Sequence, residues 1–553
     1  VRNYNYGSSK QTTATGSGNG GNGYIKELSR ITENILTYTK NWDEHRFSAT
    51  GVYSWQDYVY ENLSISGKGF QNDETGAWDM GLADRETMSY ASGKYGNTLI
   101  SFTGRFTYAY KDRYLMTATA RYDGSSRFGT NNKWGFFPSV GLGWRISEET
   151  FLANNKVITN LKLRGSYGIT GNQEIGNYKS LAQLKSKNYI YNDALMQGFY
   201  ETIGNPDLKW ERTKQFDLGF DLSLWNRIHL NVDYYSRRTS DLLYDVPIPS
   251  TSGFSTMLSN IGIVSNKGVE IALSGRIVET KDFKLDATVN ISKNKNEIKE
   301  LYNDVESITV TSGLGLSKYL KVGESLLSIY GLKSEGIIKT EEQLAAYQKI
   351  VPTAQLGDEM YADIDDDKAI TAKDQINIGE TEPNFFYGVA LNLEYKKFHL
   401  DILGQGAHDF AAVGASNSDM KIGIHGYGDS FNYLLVGENQ TDNRCCLPSK
   451  YAYERMWSPS NPNGTFPRAG ASNLYLSDRS NSGWNYFIIK SIALSYDFGN
   501  NPIKGIKGIK GISAFVNLQN FITFANHRGY NPENGDTSNP WIKTITIGVN
   551  AKF

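Results

Sequence analysis

The chain has 553 residues, with 57 Lys and Arg against 58 Asp and Glu. It is too long for one ordinary soluble core, and a net charge of −1 without a concentrated basic face excludes a nucleic-acid partner. No run of ~18 apolar residues occurs, which excludes a transmembrane helix. A mean hydropathy of −0.46 leaves a membrane barrel open, because half of each barrel strand faces a polar interior.

In chain order, Val1 precedes a polar stretch rich in Gly, Ser, Thr and Asn with no leader pattern. Either a leader is gone or the chain starts within a longer protein. Alternation and turn signals then predict fifteen strands. They fall near 30–40, 45–57, 97–110, 113–123, 135–147, 160–170, 209–224, 227–241, 264–278, 282–295, 383–395, 398–409, 481–498, 509–524 and 541–553. Phe216, Leu218, Phe220, Leu222 and Leu224 alternate with Asp217, Gly219, Asp221 and Ser223. Phe283, Leu285, Ala287, Val289 and Ile291 alternate with Lys284, Asp286, Thr288 and Asn290. Such strands have one oily face and one wet face.

The connections alternate short and long. Short ones lie at Tyr110–Arg113, Leu224–Arg227, Glu279–Asp282 and Tyr395–Phe398. Long ones are expected at 58–96, 171–208, 242–263, 296–382 and 410–480. Short periplasmic turns and long extracellular loops characterise an up-and-down barrel of the outer membrane. Trp42, Trp144 and Trp225 lie near short-turn ends, and Trp134, Trp210, Trp484 and Trp541 near long-loop ends, as in two aromatic belts.

The final strand is the clearest. Ile545, Ile547, Val549, Ala551 and Phe553 form one stripe, and Thr544, Thr546, Gly548, Asn550 and Lys552 the other. An aromatic carboxyl terminus closing such a strand, here Phe553, is the usual end of an outer-membrane β-barrel. With Phe553 periplasmic, counting back fifteen strands makes the first run inward. A closed barrel starting from the periplasm then needs an odd number of strands before Val1.

Several segments carry a resemblance. "GRFTYAYKDRYLMTATARYDGSSRFG" (104–129), "WGFFPSVGLGWRISEETFL" (134–152), "LKLRGSYGITGNQEIGNY" (161–178), "NPDLKWERTKQFDLGFDLSLWNRIHLNVDYYSRRTSDLL" (205–243) and "GIVSNKGVEIALSG" (262–275) occur in this order. They resemble the barrel of SusC/RagA-type TonB-dependent transporters of Bacteroidota. The resemblance implies an all-β, transmembrane antiparallel up-and-down β-barrel. Residues 1–553 then supply about 15 of ~22 strands, and the family's amino-terminal plug and TonB box are absent from this chain. It further implies import of an oligosaccharide or peptide, a SusD-like lipoprotein over the outer mouth, energy from TonB, and recognition of Phe553 by the barrel assembly machinery. A passive porin or adhesin barrel is the first alternative, and an outer-membrane hydrolase the second.

One local motif stands apart. "DIDDDKAITAKD" places Asp363, Asp365, Asp367, the carbonyl of Ala369, Thr371 and Asp374 at positions 1, 3, 5, 7, 9 and 12 of an EF-hand-like loop. Oxygen ligands at this spacing wrap a hard cation such as Ca²⁺. Lys368 stands where glycine makes the sharp turn, and Asp374 is shorter than the usual glutamate. A solvated acidic loop is the competing reading.

Catalysis is not expected. His45, His229, His399, His408, His425 and His527 have no metal-ligand spacing, and His408 beside Asp409 with Ser416 and Ser418 downstream is a chance grouping. Adjacent Cys445 and Cys446 fit no spaced disulfide framework. "KGIKGIKG" (504–511) reads as a flexible basic turn. Aromatics of the long loops, among them Tyr191, Phe199, Tyr200, Tyr427, Trp457, Phe466 and Tyr475, suit a surface for a ligand or a lid.

Overall fold

The computed structural model describes residues 2–5, 18–70, 76–191, 194–254, 256–302, 305–311, 318–410, 454–468, 471, 475–480, 484–500, 510–525, 531–533 and 541–552. Sixteen strands hydrogen-bond in chain order in one sheet, with local insertions left out of the ladder. Fifteen are those the alternation predicts: Gly18–Trp42, His45–Phe70, Ser89–Tyr110, Tyr114–Ser125, Trp134–Arg145, Ile158–Asn172, Glu211–Leu224, Ile228–Ser240, Ile263–Glu279, Phe283–Glu300, Phe385–Tyr395, Phe398–Phe410, Trp484–Asn500, Gly511–Ala525 and Thr544–Lys552. A short strand, Arg2–Asn5, pairs ahead of them with the first. No described helix is long and apolar enough to cross a membrane.

The expected loop at 58–96 is corrected. His45–Phe70 pairs antiparallel with Ser89–Tyr110, from His45 opposite Tyr110 up to Ser66 opposite Ser89. Val59, Leu63 and Ile65 alternate with Asn62, Ser64 and Ser66, but Asp57 and Glu61 interrupt that apolar stripe, and the backbone ladder continues regardless. Three other long connections carry strands of their own. Gln183–Tyr191 pairs with Ala194–Thr202, and Leu243–Pro247 with Thr256–Asn260. Residues 296–382 hold short strand pairs and the helix Glu341–Tyr347.

The short turns are tight. Lys111 and Asp112 have φ of 54° and 55°, and Trp225 and Asn226 both 53°. Two consecutive residues with positive φ match the twist of a hairpin, as in a type I′ turn.

The chain divides into two compact units: residues 1–142, 166–215 and 239–261, and residues 143–165, 216–238 and 262–553. In the first, Leu99, Phe128, Phe137, Ile175, Leu208 and Trp210 form a buried cluster. The Trp210 ring lies 4.8 Å from Phe128 and 5.2 Å from Phe137, and its Nε1 donates to the Lys133 carbonyl at 3.0 Å. Trp210 is therefore a core residue of the long-connection end, not part of a belt; truncating such a ring costs ~3–5 kcal/mol. Trp42, Trp134, Trp144 and Trp225 are exposed, as a belt requires.

In the second unit the two faces of the strands differ as expected. Phe216 and Leu218 are exposed on one side. On the other, Arg164 bridges Asp221 at 3.0 Å and Asp233 at 2.7 Å. Arg276 binds Asp286 at 2.9 Å, and Lys284 binds Glu394 at 3.0 Å. Paired charges on the wet face and bare hydrocarbon on the other suit a wall between lipid and a polar interior.

Candidate functional site

Within the second unit, two long connections fold together. Ser334–Ile337 pairs with Glu359–Tyr361, and Ser328–Leu332 with Gln375–Glu380. Helix Glu341–Tyr347 begins with a capping box in which Thr340 and Gln343 satisfy each other's amides. Ile338, Tyr347 and Ala354 form its core, with Leu344, Val351, Leu356 and Met360 against them.

Residues from beyond position 454 complete this module. The Leu332 amide donates to the Leu476 carbonyl at 2.7 Å, and Ser334 N to Asp478 Oδ1 at 2.9 Å. Arg468 Nε meets the buried Asp358 carboxylate at 2.7 Å. Tyr361 is almost wholly buried; its hydroxyl accepts from Tyr475 N at 3.0 Å. Glu359 is buried beside Ser334, Tyr361 and Arg479, and desolvation pushes its carboxyl above the usual range.

The acidic loop joins two strands of this module. Asp363 accepts from the amides of Asp367 at 3.2 Å and Lys368 at 2.9 Å, and Asp367 accepts from Ala369 N at 3.0 Å. Lys368 takes the turn at φ 64°, so the side chain in place of glycine does not prevent it. Asp374 is fully buried and accepts from Ile364 N and Thr371 N, both at 2.7 Å.

Asp363, Asp365 and Asp374 each bring one carboxylate oxygen within 4.8 Å of the others. Oxygens ~2.3–2.6 Å from a shared Ca²⁺ can be at most ~5 Å apart, a bound that these three meet. The other expected ligands are differently engaged. The Asp367 carboxylate lies 3.8 Å from Lys373 Nζ, which also approaches Asp365 at 3.6 Å. The Thr371 hydroxyl accepts from Lys373 N at 3.2 Å as the cap of the short turn Ala372–Asp374.

Among the loop aromatics, Phe466 is buried and Tyr475 packs on Tyr361 with ring centres 5.5 Å apart. Phe466 thus serves packing, while the half-buried Tyr475 is engaged by Tyr361. Tyr427, Cys445, Cys446 and Phe553 lie outside the described residues, as does most of 504–511. His408 Nδ1 lies 2.6 Å from Asn485 Oδ1, and its ring stacks on Phe385 and Tyr387, while Asp409 accepts from Asn384. His408 is thus held by aromatic packing and an amide. Ser416 and Ser418 fall outside the described residues.

Strands with one bare and one ion-paired face, joined by tight turns and by long folded connections, make up the wall of an outer-membrane β-barrel. Residues 1–319 match the family model described as TonB dependent receptor-like, beta-barrel, and the chain belongs to that family. It is 31% identical over 582 residues to TonB-dependent receptor P3 of Formosa agariphila, covering 100% of this chain and 55% of that protein. It is 28% identical to TonB-dependent receptor SusC of Bacteroides thetaiotaomicron, covering 99% of this chain and 53% of that protein. The solved RagAB peptide transporter superposes with a TM-score of 0.80 at 25% identity, covering 98% of this chain and 57% of that one. The chain spans about half the length of the curated relatives it matches. Its place is the outer membrane.

Proposed function

We propose that this chain is the barrel portion of a TonB-dependent importer that admits an oligosaccharide or a peptide in concert with a SusD-like surface lipoprotein. Family membership carries the reading. The module built from two long connections supports it, since a rigid, cored platform on the extracellular side gives a lid something fixed to rest on. The likeness to SusC and to a RagAB peptide transporter points the same way. TonB engagement belongs to the longer protein, and Phe553 serves the assembly machinery. A divalent cation held by Asp363, Asp365 and Asp374 stiffens the loop between two strands of the platform.

Uptake of labelled oligosaccharide and peptide mixtures by cells expressing the whole protein, with and without functional TonB, is the test. Accumulation should require TonB and be lost when a co-purifying surface lipoprotein is deleted. Undiminished uptake in cells lacking TonB means a passive porin.

A further inference from the structure

The first unit holds a cavity of about 810 Å³ lined by Tyr58, Tyr95, Tyr178, Asn97, Asn177 and Arg127, among others. This size suits a small-molecule site, typically ~300–1,000 Å³. Tyr58 stands opposite Asn97 in the ladder and Tyr60 opposite Tyr95. Period-two parity puts Asn97 and Tyr95 on the same side of their strand as Ser101, which contacts the Arg121–Asp123 pair. The cavity therefore opens on the wet side. Ile175 belongs both to its lining and to the buried cluster with Trp210, so it has a packed floor.

Its polar groups are underused. Nδ2 of Asn97, Nε of Arg127 and Oδ1 of Asn177 are sealed from solvent and have no hydrogen-bond partner among the described residues. Buried polar atoms left unpaired are costly, and three on one cavity call for a partner that supplies both donors and acceptors. The last torsion of an asparagine is broad, so a modest rotation turns either amide toward an incoming group.

Beside them are aromatic faces. Tyr95 stacks on Tyr60 at 4.6 Å, and Tyr58 lies 6.4 Å from Tyr95. Tyr178 is held at φ 63°, a strained conformation for a bulky residue, with its hydroxyl accepting from Gly96 N at 3.0 Å. Ser126 Oγ likewise accepts from Thr98 N at 2.9 Å. These two hydroxyls occupy the amides of Gly96 and Thr98, just beyond the ladder that begins at Leu99, so an extended peptide cannot pair with the main chain there.

We infer that this cavity is a binding site for a pyranose unit of an oligosaccharide. A sugar ring presents a C–H face that packs on tyrosine and hydroxyls that each donate and accept, which matches the unpaired donor on Asn97 and the unpaired acceptor on Asn177 once each amide turns toward the ring. This names a substrate class for the proposed importer and rests on that reading only for the fate of the sugar after binding.

The test is calorimetry on the full-length protein in detergent. The probes are maltoheptaose, cellohexaose, xylohexaose and tri-galacturonate, against a tryptic digest of casein. At least one oligosaccharide should bind. Asn97→Leu and Asn177→Leu should each weaken it about tenfold or more, the scale of one buried hydrogen bond. Because leucine removes an unpaired polar atom, melting temperatures should hold or rise, which separates lost binding from lost folding. The inference is overturned if none of the four binds, if the variants bind as wild type does, or if only the peptide digest binds. Binding that follows the variants while uptake ignores TonB would remove the importer reading and leave the site standing.

Discussion

Val289 and Thr288 are neighbours on opposite faces of Phe283–Glu300, and an arginine at each should have unequal effects. Val289 lies between Leu273 and Val389 on the adjoining strands, and Thr288 between Ser274 and Ala390. Val289 is six residues from Phe283, where the strand leaves its short turn. At ~3.3 Å per residue and a tilt of ~40°, that is ~15 Å of height, near the middle of an apolar band ~25–30 Å tall. Val289→Arg puts a charge at the most costly depth and should destabilise the folded barrel by ~2–4 kcal/mol. Thr288→Arg faces the wet side beside small residues that leave it room, and should cost under ~1 kcal/mol. Denaturant titration of the whole protein folded into phosphatidylcholine vesicles, followed by tryptophan fluorescence and gel mobility, measures both. Equal losses, or a larger one at Thr288, would refute the assignment of faces.

Three further outcomes are expected. Phe553→Ser should reduce the heat-modifiable, folded fraction in outer-membrane preparations, and unchanged assembly counts against Phe553 as the signal. Chelated protein titrated with Ca²⁺ should release heat that disappears in the Asp363→Ala/Asp365→Ala variant; no heat from the wild type leaves the loop as a solvated acidic turn held by its own amides and Lys373. Glu359→Gln should improve resistance of the module to proteolysis at pH 7. The folded pKa of Glu359 is raised, so the cost is full above the folded value, shrinks as pH falls toward the ordinary glutamate value of ~4.3, and is gone below it. The gain should vanish at pH 4, and a loss of resistance at both pH values would overturn this account.

The strands were legible because lipid on one side and polar surroundings on the other impose period two on the chain. Where charges break the apolar stripe, as Asp57 and Glu61 do beside Val59, Leu63 and Ile65, the mark weakens while the ladder continues, and backbone pairing reveals it. Trp210 misled because an aromatic at a strand end reads alike whether it faces lipid or a local core. The folded module was missed although its helix start is written as Thr340…Gln343 before Leu344, a capping-box spacing. Its core residues are spread over segments too short to show a period. The acidic loop was visible from spacing, but spacing could not tell that Asp363, Asp365 and Asp374 converge while Asp367 and Thr371 turn to other partners.

The seam of that module also sets an order of events. Ser334 meets Asp478 across 144 positions, and Asp358 meets Arg468 across 110. Bringing such distant segments together in a free chain carries an entropy cost that grows with the length between them. The hairpin Phe385–Tyr395 with Phe398–Phe410 lies between the two halves, and once zipped it shortens the effective loop. The membrane strands should therefore form first and the seam close last. Pulsed hydrogen exchange during folding would then find the amide of Ile291 protected before those of Leu332 and Ser334, so that the outward-facing platform becomes rigid only on a barrel already in place.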